Sequence, residues 1–278
     1  MIYDKWLKII TETGTIDICE EIDNFIVLEA RASYPVSNIS NSSYSGVDGE
    51  LPSVATFAPF NLVVKCGFDG IDAYDVNLME WKLREIFYKR KPYYIVTSEN
   101  PGIKYPVQNP DIAPDYSDLT ATKFEMTFPV YKGYAESLYK TDQFSLSNGK
   151  WQFESGLLAE ESIKYKHDTQ GFRIYNGSFD VIDPHKHFDL KIELSLDAPK
   201  GFELINKTTD TVFKYKQPIK KKQKLVLNGV RPFVDGKNVG IDTNFRWIKL
   251  DKGFNEIEIN GEGVKNVTSK WIFPFIYR

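Results

Sequence analysis

With 278 residues, 42% of them hydrophobic, the chain can bury one large core or, as we expect, two domains of ordinary size. Its net charge of −3 argues against a surface that binds duplex nucleic acid, because such surfaces concentrate cations on one face. No apolar run approaches a membrane span and the N-terminus lacks the apolar segment of a signal peptide, so we expect a soluble protein made in a cytoplasm.

The first predicted strand is followed by a long loop. Residues 25–31 alternate between apolar and polar, which predicts a strand with Ile26, Leu28 and Ala30 on one side. Residues 33–53 are rich in Ser, Asn and Gly. A loop of this length is more often functional or flexible than a simple connector.

A strand at residues 60–68 leads into one well-patterned helix. At about 100° per residue, one apolar stripe of the kind that packs on a sheet contains Val76, Met79, Leu83, Ile86 and Phe87. Acidic residues at the start and basic residues at the end match the helix dipole. The i,i+4 pairs are Glu80 with Arg84 and Glu85 with Lys89. Pro92 is predicted to end the helix, because proline lacks an N–H.

A second set of side chains recurs on the opposite side of this helix. Tyr74, Trp81 and Tyr88 are spaced seven residues apart. One interpretation is that another part of the same chain covers them. The other is a subunit interface, where Tyr and Trp are enriched and charged residues are depleted.

A tight hairpin follows the helix. Residues 93–97 and 103–107 are predicted as short strands around Asn100-Pro101-Gly102, where Pro sets φ and Gly accepts a positive φ. Residues 123–130 then alternate as the clearest half-buried strand of the first half. The pattern lapses into Gly, Ser, Thr and Asn over residues 131–152.

That lapse predicts a boundary between a domain at residues 1–140 and a second at residues 141–278. The second half is almost entirely β in pattern, and Asn176-Gly177 between apolar runs predicts a two-residue hairpin turn. Further strands are predicted at residues 188–196, 211–216, 224–227, 245–249 and 255–260. Many short strands without an intervening helix indicate an antiparallel sandwich of jelly-roll type.

Candidates for chemistry are few. His185 and His187 lie on one side of a predicted strand with Asp183 and Asp189, a pattern that can begin a metal site. Only His167 remains as a further histidine, so a polar start to the strand is the preferred interpretation and no metal is expected. The chain has no nucleophile elbow, phosphate loop or dinucleotide glycine pattern. Acidic residues are abundant enough to supply a carboxylate pair for glycoside hydrolysis, and a glycosidase is the lowest-ranked alternative, but no pair stands out. No enzymatic activity and no cofactor are expected.

Three tryptophans of the second half offer flat apolar faces. Trp151, Trp247 and Trp271 are candidates for stacking on sugar rings. Core packing is the more common use of a tryptophan, and it remains the alternative.

Several short segments together resemble the distal tail protein family of siphophages that infect Gram-positive bacteria. In the first half they are LREIFYKRKPYY (83–94), NPGIKY (100–105), FEMTF (124–128) and YKGYAES (131–137). The resemblance is weaker in the second half, at FRIYN (172–176) and Asp183-Pro184. It covers most of the first domain well and the second loosely.

This resemblance implies a non-enzymatic virion protein at the phage tail tip, assembled in the bacterial host cytoplasm. Its N-terminal β-rich domain, of split-barrel or sandwich type with one helix and a hairpin, would form a hexameric ring. Its C-terminal domain would be a galectin-like sandwich. The implied partners are other copies of the chain, the tail tube protein, the tail-associated hub protein and receptor-binding proteins. A module that binds host cell-wall polysaccharide is the alternative function.

Overall fold

The chain divides into two units, each built on antiparallel sheets. A computed structural model describes residues 5–115, 121–144, 163–186 and 188–278. One unit is Met1–Glu136 together with Arg278, and the other is Ser137–Tyr277. The mainly β fold class is confirmed. In the described ranges, no helix is long and apolar enough to cross a membrane.

The first unit contains the helices α1 (Ile18–Glu21) and α2 (Ala73–Phe87). Its strands, with β11 at its C-terminal end, are β1 (Leu7–Thr11), β2 (Gly14–Asp17), β3 (Phe25–Ala32), β4 (Ser37–Asn38), β5 (Thr56–Phe57), β6 (Phe60–Asp69), β7 (Tyr93–Thr97), β8 (Ile103–Val107), β9 (Asp111–Asp115), β10 (Ala121–Val130) and β11 (Ala135–Ser137). The main sheet has the order β2-β1-β7-β8-β10-β6-β3, and β9 pairs with β10.

The longest strand pair of this sheet is the antiparallel pair of β6 and β10. Their inward side chains include Leu62, Val64, Met126 and Phe128, which are buried because the strands alternate as the sequence predicts. Helix α2 packs on this pair, with the ring centroids of Phe87 and Phe128 5.3 Å apart. The apolar stripe predicted for the helix is therefore its core face, and every member of it is buried.

Strand β3 corrects one sequence prediction. Ile26 and Leu28, expected on the same side as Ala30, are 53% and 40% exposed, whereas Val27 and Ala30 are buried. The pairing of β3 with β6 shifts between Val27 and Glu29. This bulge inserts one residue and reverses the alternation, which a strict two-residue period cannot anticipate.

The end of α2 also differs from the prediction. The helix ends at Phe87, before Pro92. The N–H of Lys89 donates to the side chain of Asn109 at 3.0 Å, and the hydroxyl of Tyr93 donates to the carbonyl of Phe87 at 2.9 Å. The Tyr93 hydroxyl satisfies a carbonyl that the last turn leaves open, and the N–H of Lys89 is bonded outside the helix, so the helix stops before the proline acts.

The second unit contains two sheets and one short C-terminal strand that belongs to neither of them. Its strands are β12 (Lys166–His167), β13 (Gly171–Asn176), β14 (Lys191–Asp197), β15 (Phe202–Asn206), β16 (Thr211–Tyr215), β17 (Leu225–Asn228), β18 (Arg231–Val234), β19 (Lys237–Asn238), β20 (Gly253–Asn260), β21 (Lys265–Ile272) and β22 (Ile276–Tyr277). The sheet orders are β12-β21-β14-β17-β18-β19 and β13-β20-β15-β16. Phe172 of one sheet meets Trp271 of the other edge to face, with ring centroids 6.1 Å apart.

Two local predictions in the second unit are wrong. Asn176-Gly177 does not form a hairpin turn, because Asn176 is fully buried and its amide donates to the carbonyls of Asp180 and Leu250 at 3.1 Å each. Residues 245–249 do not form a strand. Phe245 has φ 56°, and this left-handed backbone interrupts an extended run.

A charged cluster is buried in the first unit. The carboxylate of Glu136, which is 1% exposed, accepts a hydrogen bond from Lys132 Nζ at 2.7 Å and lies 3.7 Å from Lys104 Nζ. Burial lowers the pKa of Lys132, but the Glu136 carboxylate more than offsets this effect, and the net pKa is raised. Lys104 also lies over the ring of Tyr94, 4.5 Å from its centroid. The carboxylate therefore neutralises two partly buried cations.

We predict that Glu136→Ala lowers the free energy of unfolding by about 3 kcal/mol, because removal of one partner leaves buried charge uncompensated. Urea denaturation followed by circular dichroism measures the change. The control is Glu12→Ala, which breaks the exposed pair of Glu12 with Lys91 at 2.7 Å. It should cost less than about 1 kcal/mol. Equal losses in the two variants would contradict the prediction.

Candidate subunit interface

The faces of α2 are fixed by its first turn. Asp72 is the N-cap, and its carboxylate accepts hydrogen bonds from the backbone N–H groups of Tyr74 at 2.9 Å and Asp75 at 3.0 Å. The Asp75 carboxylate in turn accepts from the N–H of Ile71 at 2.9 Å. These bonds satisfy donors that the helix itself leaves open and set its starting point.

A second apolar stripe runs along the water-facing side of this helical segment. We call it the α2 outer stripe, and it consists of Ile71 (87% exposed), Tyr74 (78%), Leu78 (63%), Trp81 (67%) and Tyr88 (49%). The spacing alternates between three and four residues, except that Glu85 occupies the place between the last two. This spacing places Tyr74, Leu78 and Trp81 on one face of the helix, and Ile71 and Tyr88 flank its two ends. The described part of the chain leaves Tyr74 and Trp81 largely uncovered and Tyr88 about half covered, which favours a subunit interface over coverage by the same chain.

Charges beside the stripe orient its central aromatic residue. Arg84 pairs with Glu80 at 3.0 Å, and its guanidinium carbon lies 5.0 Å from the centroid of the Trp81 ring. The indole is thus held against a cation while most of its surface faces water. The other predicted pair takes a different form, since Lys89 Nζ donates to the backbone carbonyl of Glu85 at 2.7 Å.

Another exposed apolar surface lies on the same unit. Residues 33–58 form an arm in which β4 pairs with β5, and Ser42 bridges to Leu51. Its large exposed side chains are Tyr34, Val36, Ile39, Tyr44, Val47, Leu51, Val54 and Phe57. Asp48 and Glu50 are its only charged residues. The sequence analysis treated most of this segment as a loop and missed its apolar content, which Ser, Asn and Gly dilute.

The tryptophans proposed for sugar stacking have different environments. Trp271 is fully buried between the two sheets, so the stacking role proposed for it is wrong. Trp247 is half-buried beside a cleft of the second unit. Trp151 lies outside the described residues.

The histidine pattern has no metal-site geometry in the part of the chain that the structure describes. No group of three or more His, Cys, Asp or Glu side chains there is placed to hold an ion. His185 stacks on Trp247, and Asp183 forms an ion pair with Lys249 at 2.9 Å. His187 lies outside the described residues.

Comparison with known proteins identifies the kind of domain that carries α2. Residues 19–130 match the phage tail protein RIFT-related domain family. The solved structure of the Dit protein of phage SPP1, described as a paradigm of the hub adsorption apparatus in phages that infect Gram-positive bacteria, has a TM-score of 0.69 and 13% identity over 98% of this chain and 99% of that chain. A chain of the phage p2 baseplate has a TM-score of 0.47 and 11% identity, covering 97% of each chain. No curated protein sequence matches the chain.

The resemblance to distal tail proteins is therefore confirmed. Residues 19–130 are similar to the phage tail RIFT-related domain, and the fold of the chain is similar to that of the SPP1 Dit protein.

Proposed function

We propose that this chain is a distal tail protein whose first unit forms a hexameric ring between the tail tube and the tail-tip hub. The phage tail domain at residues 19–130 supports a structural role in a tail or baseplate. The α2 outer stripe is the single observation that supports assembly, since it places two aromatic side chains that are more than 60% exposed on the side of α2 opposite its core face. Such aromatic anchors dominate the binding energy of many interfaces.

A closed ring needs two different complementary surfaces on each subunit. The α2 outer stripe is proposed as one and the arm of residues 33–58 as the other, so that the arm of one copy covers the stripe of the next. Each large apolar side chain that becomes fully buried contributes roughly 1.5–3 kcal/mol. Burial of the five stripe residues therefore offsets part of the entropy lost on association.

Charge also favours this pairing. The arm carries only Asp48 and Glu50, both exposed, whereas the segment after α2 carries Lys89, Arg90 and Lys91. An acidic arm laid along the stripe toward this basic segment would bring opposite charges together. Such rim charges mainly set orientation and association rate.

The remaining partners follow from the proposed position in the virion. One face of the ring would meet the tail tube protein and the other the hub protein, and the second unit would be free to hold a receptor-binding protein. The overall charge of −3 suits a channel that must pass DNA without binding it. The proposal requires no catalytic residue.

We predict that light scattering of the purified chain gives the mass of six copies of 32.0 kDa, and that negative-stain images show a six-fold ring. Trp81→Ala should weaken assembly at least tenfold in the concentration at which rings dissociate, because it removes the central aromatic anchor. The monomer should keep its melting temperature, since Trp81 is 67% exposed.

The matched control is Phe179→Ala, which removes a 51% exposed aromatic side chain from the second unit. It should leave assembly unchanged. If the Trp81→Ala variant forms full rings of unchanged stability, the proposed interface is contradicted. A wild-type chain that stays monomeric at every concentration would contradict a ring that forms without the tube or hub.

A charge exchange tests the orientation of the arm. Asp48→Lys with Glu50→Lys should lower assembly several-fold at low salt, because these residues would then face Arg90 and Lys91. Adding Arg90→Glu and Lys91→Glu to these two substitutions should restore assembly. The control is Glu20→Lys with Asp23→Lys, two exposed acids elsewhere on the unit. If the four-residue variant assembles no better than the first pair, the arm does not meet the end of α2.

A further inference from the structure

The second unit contains a cleft of about 430 Å³ beside Trp247. Its lining includes Asp210, Thr211, Phe245, Arg246, Trp247 and Lys249. We propose that this cleft, which we call the Phe245 cleft, binds a saccharide by stacking a sugar ring on aromatic surface and hydrogen-bonding its hydroxyl groups. The proposal is independent of ring assembly, which rests on the first unit.

Phe245 is held in an unusual conformation. Its φ of 56° is left-handed, although its side chain is bulky, and the side chain is 72% exposed. A left-handed backbone is an outlier for such a residue. The phenyl ring is too exposed for its burial to offset the backbone strain. Strain at an exposed aromatic residue indicates that the ring is presented for contact with a ligand.

The neighbouring residues enforce this conformation. The hydroxyl of Thr243 accepts a hydrogen bond from the N–H of Phe245 at 3.1 Å and donates to the carbonyl of Gly240 at 2.8 Å. Asn244 accepts from the N–H of Lys214 at 3.0 Å and donates to the carbonyl of Val212 at 2.9 Å. The loop is thus tied to β16, and the aromatic side chain is positioned before any ligand arrives.

Trp247 is equally fixed. Its indole N–H donates to Asp183 at 3.0 Å, and the imidazole of His185 stacks on it at 4.9 Å with an interplanar angle of 5°. Lys249 pairs with the same carboxylate at 2.9 Å. The indole polar group is therefore satisfied within the unit, so Trp247 has only apolar surface to offer the cleft. A rigid aromatic wall loses little entropy when a ligand binds.

The polar groups of the cleft have hydrogen-bonding capacity to spare. Neither Asp210 nor Arg246 forms a side-chain hydrogen bond or an ion pair anywhere in the described ranges. A carboxylate accepts from neighbouring hydroxyl groups, and a guanidinium donates to ring and hydroxyl oxygens. The volume of the Phe245 cleft lies in the range of sites that bind small molecules. The lining carries two basic residues, Arg246 and Lys249, and the carboxylate of Asp210, and Lys249 is already paired with Asp183, so the cleft does not select a strongly charged ligand such as a polyphosphate.

The test is titration of the full chain with glucose, galactose, rhamnose, N-acetylglucosamine and tetramers of each, followed by saturation-transfer NMR and calorimetry. We expect at least one tetramer to bind with a dissociation constant below about 1 mM. Phe245→Ala and Asp210→Asn should each weaken this binding at least tenfold. Phe179→Ala, an exposed aromatic residue of the same unit outside the cleft, should leave it unchanged. Absence of binding by every sugar, or binding that survives both cleft variants, overturns the proposal.

Phe245→Gly separates a binding role from a structural one. Glycine adopts φ 56° without strain, so the melting temperature should stay the same or rise while saccharide binding is lost. A fall in melting temperature of the size seen for a buried aromatic residue would assign Phe245 to packing and overturn the proposal. Circular dichroism tests whether Phe245→Ala and Phe245→Gly keep the β fold.

Discussion

The position of α2 depends on one capping interaction. Because Asp72 fixes the first helical residue, it also fixes which side chains point at β6 and β10 and which point at water. A shift of one residue would turn every side chain by about 100° and take Met79 and Leu83 out of the core. The buried and exposed stripes are thus two consequences of the same hydrogen bonds.

That constraint explains why the exposed stripe is informative. Monomers expose scattered apolar residues without consequence, but an aligned set on a rigid helix is a preformed surface. Trp81 is further held by Arg84, so its side chain has lost part of its rotamer freedom before any contact with a partner. The helix combines a role in the fold with a surface suited to assembly, and neither role compromises the other.

Sequence periodicity identified the elements that depend on local pattern. The core face of α2, the strands β7 and β8 and the alternation of β6 and β10 were all predictable, because each extends over several residues with one period. The predictions failed where a single residue changes the local backbone geometry. The bulge in β3 and the buried amide of Asn176 depend on partners that lie far along the chain.

The same distinction applies to the candidate sites. The spacing of Tyr74, Trp81 and Tyr88 was visible in the sequence, although Ile71 and Leu78 were overlooked because the aromatic residues alone drew attention to that face. The arm was hidden by its polar composition. Phe245 could not have been identified, because residues 245–249 read as an ordinary strand and a left-handed φ leaves no trace in the residue type.

The two units expose apolar side chains in different ways, and this difference separates their proposed roles. In the first unit the exposed residues form extended stripes, on α2 and along the arm, which suit a large surface repeated in every copy. In the second unit Phe245 and Trp247 border a concave space with polar groups at its edge. Because one surface suits a macromolecular contact and the other a small ligand, substitutions in one should leave the other unaffected. A chain with this division could change the ligand of its cleft without changing the surfaces proposed for assembly.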